Sequence, residues 1–131
     1  EEITKPKLLG ESWVMIQPSS IEGWGITVIE ANACGTPVIA SDTVGLRDSV
    51  VEGETGWLVP VGDEDSLADT MISVIEQPDY LAETSRKAHE WSKGFNWDRN
   101  AGLFLGMIYS YLGRKQETFD YPTYTYAQDQ Q

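Results

Sequence analysis

Glu22 and Glu30 stand on either side of Gly23, Gly25 and an apolar segment, with seven residues between them. Carboxylates accept hydrogen bonds from hydroxyl groups, and glycines let a backbone approach a ligand closely or take unusual dihedrals. A helix beginning near Gly25 would aim unpaired N–H groups and its positive dipole end at an anion. Amides for phosphate and carboxylates for sugar hydroxyls together point to a sugar nucleotide. The same two acids could instead serve a glycoside hydrolase, whose carboxyl groups stand about 5–9.5 Å apart. A glycine-rich helix start has no purpose in that scheme.

Other chemistry is thinly supplied. The chain holds one cysteine, Cys34, and one histidine, His89, so an internal disulfide is excluded and a zinc site lacks ligands. Cys34 reads as a small core residue, because no histidine lies near it in sequence to activate it. His89, between Arg86-Lys87 and Glu90, reads as a helix-surface residue. The Asp63-Glu64-Asp65 run looks like a metal-binding Asp-x-Asp, but its place at a helix start favours capping. Arg47 either reaches toward the ligand or stays solvated on its loop. The expectation for metals is none.

Composition narrows the classes further. With 131 residues the chain fits one domain, and its 21 acids against 9 bases give a net charge of −12. That balance argues against a nucleic-acid surface, which needs clustered Lys and Arg. No apolar run approaches the roughly 20 residues of a membrane helix.

The elements that must position Glu22 and Glu30 follow from the pattern around them. Lys5–Glu11 reads as the last turns of a helix. Trp13–Pro18 is an uninterrupted apolar run closed by proline, which suits a parallel strand covered on both faces. After a polar loop, Gly25–Cys34 reads as a helix, with Gly35 as its stop and Pro37 beyond. Val38–Ser41 is a second buried strand, and a short helix is expected over Leu46–Val51. Trp57–Pro60 is a third strand. Asp63 then caps a helix whose apolar stripe is Leu67, Met71, Val74 and Ile75. Pro78 opens another to about Lys93, and a last helix runs roughly Asp98–Gly113. Trp57, Trp91 and Trp97 are expected to pack these closing elements.

Strand, helix, strand with short connections is a right-handed βαβ unit, so the fold class is α/β with an open parallel sheet. Three strands make a thin sheet, and the first helix lacks its opening turns. The expectation is a truncated Rossmann-like sheet, the second half of a doubly wound domain, with C-terminal helices. Residues 1–114 form that partial domain and 115–131, poor in aliphatics, a disordered tail. Trp13–Pro18 would lie at the centre of a complete sheet, so one of its edges should be open here.

The stretch Pro18–Asp42 closely resembles the donor-site signature of the retaining glycosyltransferases of family 4, which have the GT-B fold. Glu22 and Glu30 have the required spacing, and Ala31, Ala33, Gly35, Pro37 and Val38 match as well. The resemblance continues through Gly53-Glu54-Thr55-Gly56-Trp57-Leu58-Val59 and Gly62-Asp63 to Phe95-Asn96-Trp97, covering roughly residues 8–112. Two departures stand out. Trp24 replaces a frequent Phe, and Val44-Gly45-Leu46-Arg47-Asp48 replaces a frequent Gly-Gly-x-x-Glu, so that loop carries little weight in this reading.

The resemblance implies a nucleotide-sugar donor as substrate, no metal or other cofactor, and transfer with retention of configuration. Glu22 would be the catalytic-site acid beside the donor sugar, with the backbone of Gly23 and Trp24 alongside. Amides around Gly25, Ile26 and Thr27 would meet the diphosphate, and Glu30 would accept from the ribose hydroxyls. The resemblance also implies an amino-terminal GT-B domain for the acceptor, and an Arg and a Lys on the diphosphate, neither within this sequence. These residues alone are therefore expected to be inactive and poor at holding donor. Phe104, Met107, Ile108 and Tyr111 on the last helix would expose an apolar patch, open to self-association. A cytoplasmic address, or one at the membrane surface as a peripheral protein, fits sugar-nucleotide supply. The alternatives are a GT-B sugar-nucleotide epimerase, disfavoured by the extended signature, and a non-catalytic interaction or scaffold fragment.

Overall fold

The computed structural model describes residues 4–113, so the expected tail over 115–131 lies outside the described residues. The chain divides between Gly94 and Phe95 into two compact units. The first holds α1 (Lys5–Gly10), β1 (Met15–Gln17), α2 (Ile26–Ala33), β2 (Val38–Ser41), α3 (Val44–Arg47), β3 (Gly56–Val59), α4 (Glu64–Ile75) and α5 (Pro78–Ser92). The second holds α6 (Trp97–Tyr111).

The three strands form one parallel sheet in the order β1-β2-β3, with Met15 opposite Val38 and Ile39 opposite Trp57. This is the expected α/β architecture. β2 sits in the middle and is buried along its whole length. Its side chains alternate between two cores, as the pleat of a strand requires. Val38 and Ala40 join Leu9, Val28, Ala31, Leu46 and Val50 on one face. Ile39 joins Trp57, Val59 and Val74 on the other, with Leu67 and Met71 from α4 against them.

β1 pairs with β2 on one side only among the described residues, leaving the open edge that the sequence predicts. It is also shorter than expected. Trp13 is 67% exposed, and the ladder opens only where Met15 N–H donates to Pro37 C=O. At the opposite edge Leu58 N–H donates to the Glu52 carboxylate, a local cover for an otherwise unpaired strand group.

Gly35 ends α2 as predicted, at φ +78°. Its N–H donates to Asn32 C=O and that of Thr36 to Ala31 C=O, the paired bonds of a Schellman stop. α5 lies against this end of α2 with Thr84, Ala88 and Ser92 as its buried face. Ser85 Oγ donates to Gly35 C=O, and His89 Nδ1 contacts Ala33 C=O, so His89 is a surface residue with a structural bond. Trp91 Nε1 donates to Ser49 C=O. Trp57 is buried and meets the Tyr80 ring edge-on at 5.8 Å between centroids.

Several expectations are corrected. The short helix spans Val44–Arg47, not Leu46–Val51, and takes Gly45 inside it, where the missing side chain admits a close approach described below. Ile75 leaves the expected stripe and is 44% exposed, while Leu67, Met71 and Val74 keep it. Trp97 does not pack as expected and is 85% exposed. In α6 itself, Phe104, Met107, Ile108 and Tyr111 are all exposed, as the sequence predicts. No described helix is long and apolar enough to cross a membrane.

Two stability outcomes follow from these interiors. Asn32 is fully buried, yet neither its amide oxygen nor its amide nitrogen has a hydrogen-bond partner among the described residues. An unpaired buried polar group costs about 1–3 kcal/mol. Asn32→Ala and Asn32→Val, which remove the unpaired groups without adding heavy atoms, are expected to cost less than the usual buried truncation or to raise the unfolding midpoint in urea, and a loss of several kcal/mol in both would show a bond that the geometry lacks.

Asp63 caps α4 by accepting from the Ser66 hydroxyl and the Ser66 N–H. Those bonds, the hydroxyl's first, hold its carboxyl below the ordinary aspartate value of 3.8. With its folded-state value depressed, the cap contributes fully above the ordinary value of 3.8 and is lost as pH falls through the lower folded-state value. Asp63→Ala is expected to lower Tm at pH 7 by about a few degrees. The gap to the parent should close in acid, and thermal melts across the acid range check both parts.

Candidate functional site

All three strands end at one edge of the sheet, and α2 starts from that edge, as in any open α/β sheet that binds ligands there. α1 lies parallel to α2. Lys5 at the start of α1 contacts Glu30 on the second turn of α2, while Thr36 Oγ1 donates to Leu9 C=O and Gly10 faces Cys34 C=O near their ends. α1 therefore runs beside the second half of α2, with its start level with the turn that carries Glu30.

The tip of α2 is built on Gly25, which is buried and left-handed at φ +77°. A Cβ there would lie 2.7 Å from the Leu46 side chain and 2.9 Å from Ser49 Oγ. Only glycine satisfies both constraints. No side chain caps α2 and no acid lies in its first turn; Asp63 and Asn96 cap α4 and α6, while α1, α3 and α5 are uncapped like α2, but only α2 starts on a left-handed glycine. The opening N–H groups of α2 thus meet no local carboxylate.

Glu22 is half-buried in the loop before this tip. Its Oε2 accepts from Gln17 Nε2 at 3.2 Å, and its Oε1 from Gly23 N–H at 3.3 Å. Gln17 also donates to Ser19 Oγ at 2.8 Å and accepts from Thr27 Oγ1 at 3.5 Å. One amide at the end of β1 thereby ties Glu22 to the first turn of α2. The sequence reading missed Gln17. The signal was there: it is the one polar side chain in Trp13–Pro18, placed at the carboxyl end of the strand.

The remaining predicted residues spread around that tip. Gly23 is exposed, and against expectation its φ is not positive; a Cβ on it meets nothing within 4 Å. Trp24 and Thr27 are half-buried, and Ile26 is 62% exposed. Glu30 is exposed on the second turn of α2, where its carboxylate is ion-paired with Lys5, not joined to the Gln17 network. Cys34 packs beside the core, as expected.

The loop given little weight by sequence turns out to hold the site in place. A Cβ on Gly45 would lie 2.3 Å from the carbonyl oxygens of both Glu22 and Gly23. The next residue, Leu46, is fully buried, an anchor that stabilises by roughly 1.5–3 kcal/mol. Arg47 is exposed and paired with Asp42 at the end of β2. The Arg47 hydrogen bond holds the Asp42 carboxyl below its ordinary range and raises the guanidinium in turn.

The family described as glycosyl transferases group 1 matches residues 2–91. The chain belongs to that family. It is 40% identical over 94 residues to a D-inositol 3-phosphate glycosyltransferase of Rhodococcus erythropolis, covering 72% of this chain and 21% of that protein. A protein of the same name from Arthrobacter is 33% identical over 106 residues, covering 79% of this chain and 25% of its own. The chain thus spans between a fifth and a quarter of the length of these curated relatives. Among solved structures, sucrose-phosphate synthase from Thermosynechococcus elongatus superposes with TM-score 0.73 at 36% identity, over 82% of this chain and 27% of that one. Anabaena HepE in complex with UDP superposes with TM-score 0.76 at 25% identity, over 81% and 30%. The fold is accordingly the C-terminal-domain architecture of a group 1, GT-B glycosyltransferase.

A pair of glycine variants tests the seating of the site loop. In a helix Ala is favoured over Gly by about 1 kcal/mol, so propensity alone predicts that Gly45→Ala stabilises α3. The clash with two backbone oxygens predicts the reverse, a loss of roughly 2 kcal/mol or more. Gly23→Ala should stay within about 0.5 kcal/mol of the parent. Denaturant midpoints for the two variants decide it, and a stabilised Gly45→Ala would remove the contact from the account.

Proposed function

We propose that this chain is the donor-binding part of a retaining glycosyltransferase that needs no metal and takes a nucleotide sugar. The observation that carries the reading is the tip of α2: a left-handed Gly25, no side-chain cap, and Glu22 tethered above it through Gln17. Amides of Gly25, Ile26 and Thr27 would receive the diphosphate, aided by the helix dipole. The hydroxyl of Thr27 faces Gln17, so its amide is the group left for phosphate. Glu22 would accept from the sugar hydroxyls, with Gly23 and Trp24 beside them, and Glu30 from the ribose. Fixed donors at the leaving diphosphate stabilise the charge that develops as the glycosidic bond breaks.

Support comes from the family match and from the neighbours whose solved complexes hold UDP, or UDP and glucose. Transfer itself belongs to a longer polypeptide, whose second domain would complete the acceptor cleft. Residues 1–131 alone would be inactive. A cytoplasmic site, or one at the membrane surface as a peripheral protein, fits that chemistry.

The test uses the full-length protein. Glu30→Ala is expected to weaken binding of a nucleoside diphosphate about ten-fold, a loss of one hydrogen-bonding partner's worth of free energy. Glu22→Ala should lower kcat by about a hundred-fold with little change in that binding. Activity should survive a chelator. Variants that transfer sugar like the parent would refute these roles.

A further inference from the structure

Lys5 makes a contact that the donor-site roles leave unexplained. Its ammonium donates to Glu30 Oε2 across 25 positions of sequence. Lys5 is no loosely swinging surface residue at its backbone. Pro6 occupies the first turn of α1 and fixes its φ, and no acid in that turn competes for the ammonium. One turn on, Leu9 is buried in the core and its carbonyl accepts from the buried Thr36 hydroxyl at 2.6 Å. α1 is thereby clamped alongside α2, with Lys5 opposite the second turn where Glu30 emerges.

Glu30 has three side-chain torsions and is about half exposed, so by itself its carboxylate would sample many directions. The ammonium takes one lone pair of Oε2 and leaves Oε1 and the rest of Oε2 for other donors. That is the geometry a vicinal diol requires, since two hydroxyls must find both carboxylate oxygens in a set orientation. Ordering the acceptor before the ligand arrives removes that cost from binding.

We propose that Lys5 is a positioning residue that holds the Glu30 carboxylate for the ribose diol and so sets preference for ribonucleotide over deoxyribonucleotide donors. The proposal rests on the donor-site reading of Glu30. An exposed ion pair contributes little to stability, so a merely structural role would leave sugar preference untouched.

The experiment measures binding of nucleoside diphosphates and their 2′-deoxy counterparts, with each of the common bases, to the full-length protein. The parent is expected to prefer the ribo form. Lys5→Met should shrink that preference by about five-fold, Lys5→Arg should keep most of it, and Glu30→Gln should abolish it. Thermal melts accompany each variant, and Lys5→Gln carries the same comparison where Lys5→Met lowers Tm. Preference retained in Lys5→Met and Lys5→Gln but lost in Glu30→Gln overturns the proposal and leaves the donor-site reading standing. No nucleotide binding by the parent, or a preference indifferent to Glu30, overturns both.

Discussion

The close approach of α3 to the backbone of Glu22 and Gly23 is the constraint on which the rest of the site depends. Two carbonyl oxygens occupy the space where a side chain at position 45 would begin. With glycine there, Leu46 reaches the core beneath β2, and its side chain in turn closes against Gly25. The loop is thus pressed from α3, and α3 is fixed by apolar burial. The loop borrows the rigidity of a packed interior, where a change of even one methyl group is felt.

The helix starts differ in how their first N–H groups are met, and α2 shares the lack of a side-chain cap with α1, α3 and α5. α4 and α6 each begin with a side-chain oxygen accepting from the first turn, Asp63 in one and Asn96 in the other. Those caps satisfy donors that nothing else would meet. α2 begins instead on a left-handed glycine with no such acceptor. Its dipole is therefore not spent on the chain's own carboxylates. Both nearby acids are held sideways, Glu22 by Gln17 at the end of β1 and Glu30 by Lys5 on α1.

Much of the fold was legible because local rules and tertiary demands agreed. Val38–Ser41 reads as a buried strand and is one residue for residue, since its apolar run must satisfy two cores at once. Gly35 and Asp63 announce a stop and a cap by residue type alone, and both hold. The misses have physical causes. Gly45 looks like a breaker, yet it lies inside α3, because what it serves is an approach between segments far apart in sequence. Trp13 belongs to the apolar run but lies before the ladder begins, so its bulk stays outside. At the candidate site, the left-handed turn at Gly25 could be read from its place before a helix. Gln17 left a signal in its polarity at the end of an apolar strand, but Lys5 left none, since a contact twenty-five residues distant has no trace in periodicity.

These contacts bear on a chain with more than twice as many acids as bases. Two carboxylates beside a prospective anion would ordinarily repel it, and in water the repulsion is screened but not removed. The arrangement reduces the conflict without removing the acids. Glu22 is bound by a neutral amide and a backbone N–H, which orient it and cost little to assemble. Glu30 carries a matching cation on its flank, so its charge is locally offset while lone pairs remain for hydroxyls. An acid so placed selects for donors of hydrogen bonds, not for cations. That is the property wanted of a group that must distinguish one polyhydroxylated ligand from another. Ordered acceptors also gain more per bond than mobile ones, because the entropy of arranging them has already been met in folding. On the proposed reading, the small sheet edge would derive its selectivity from side chains that touch no ligand.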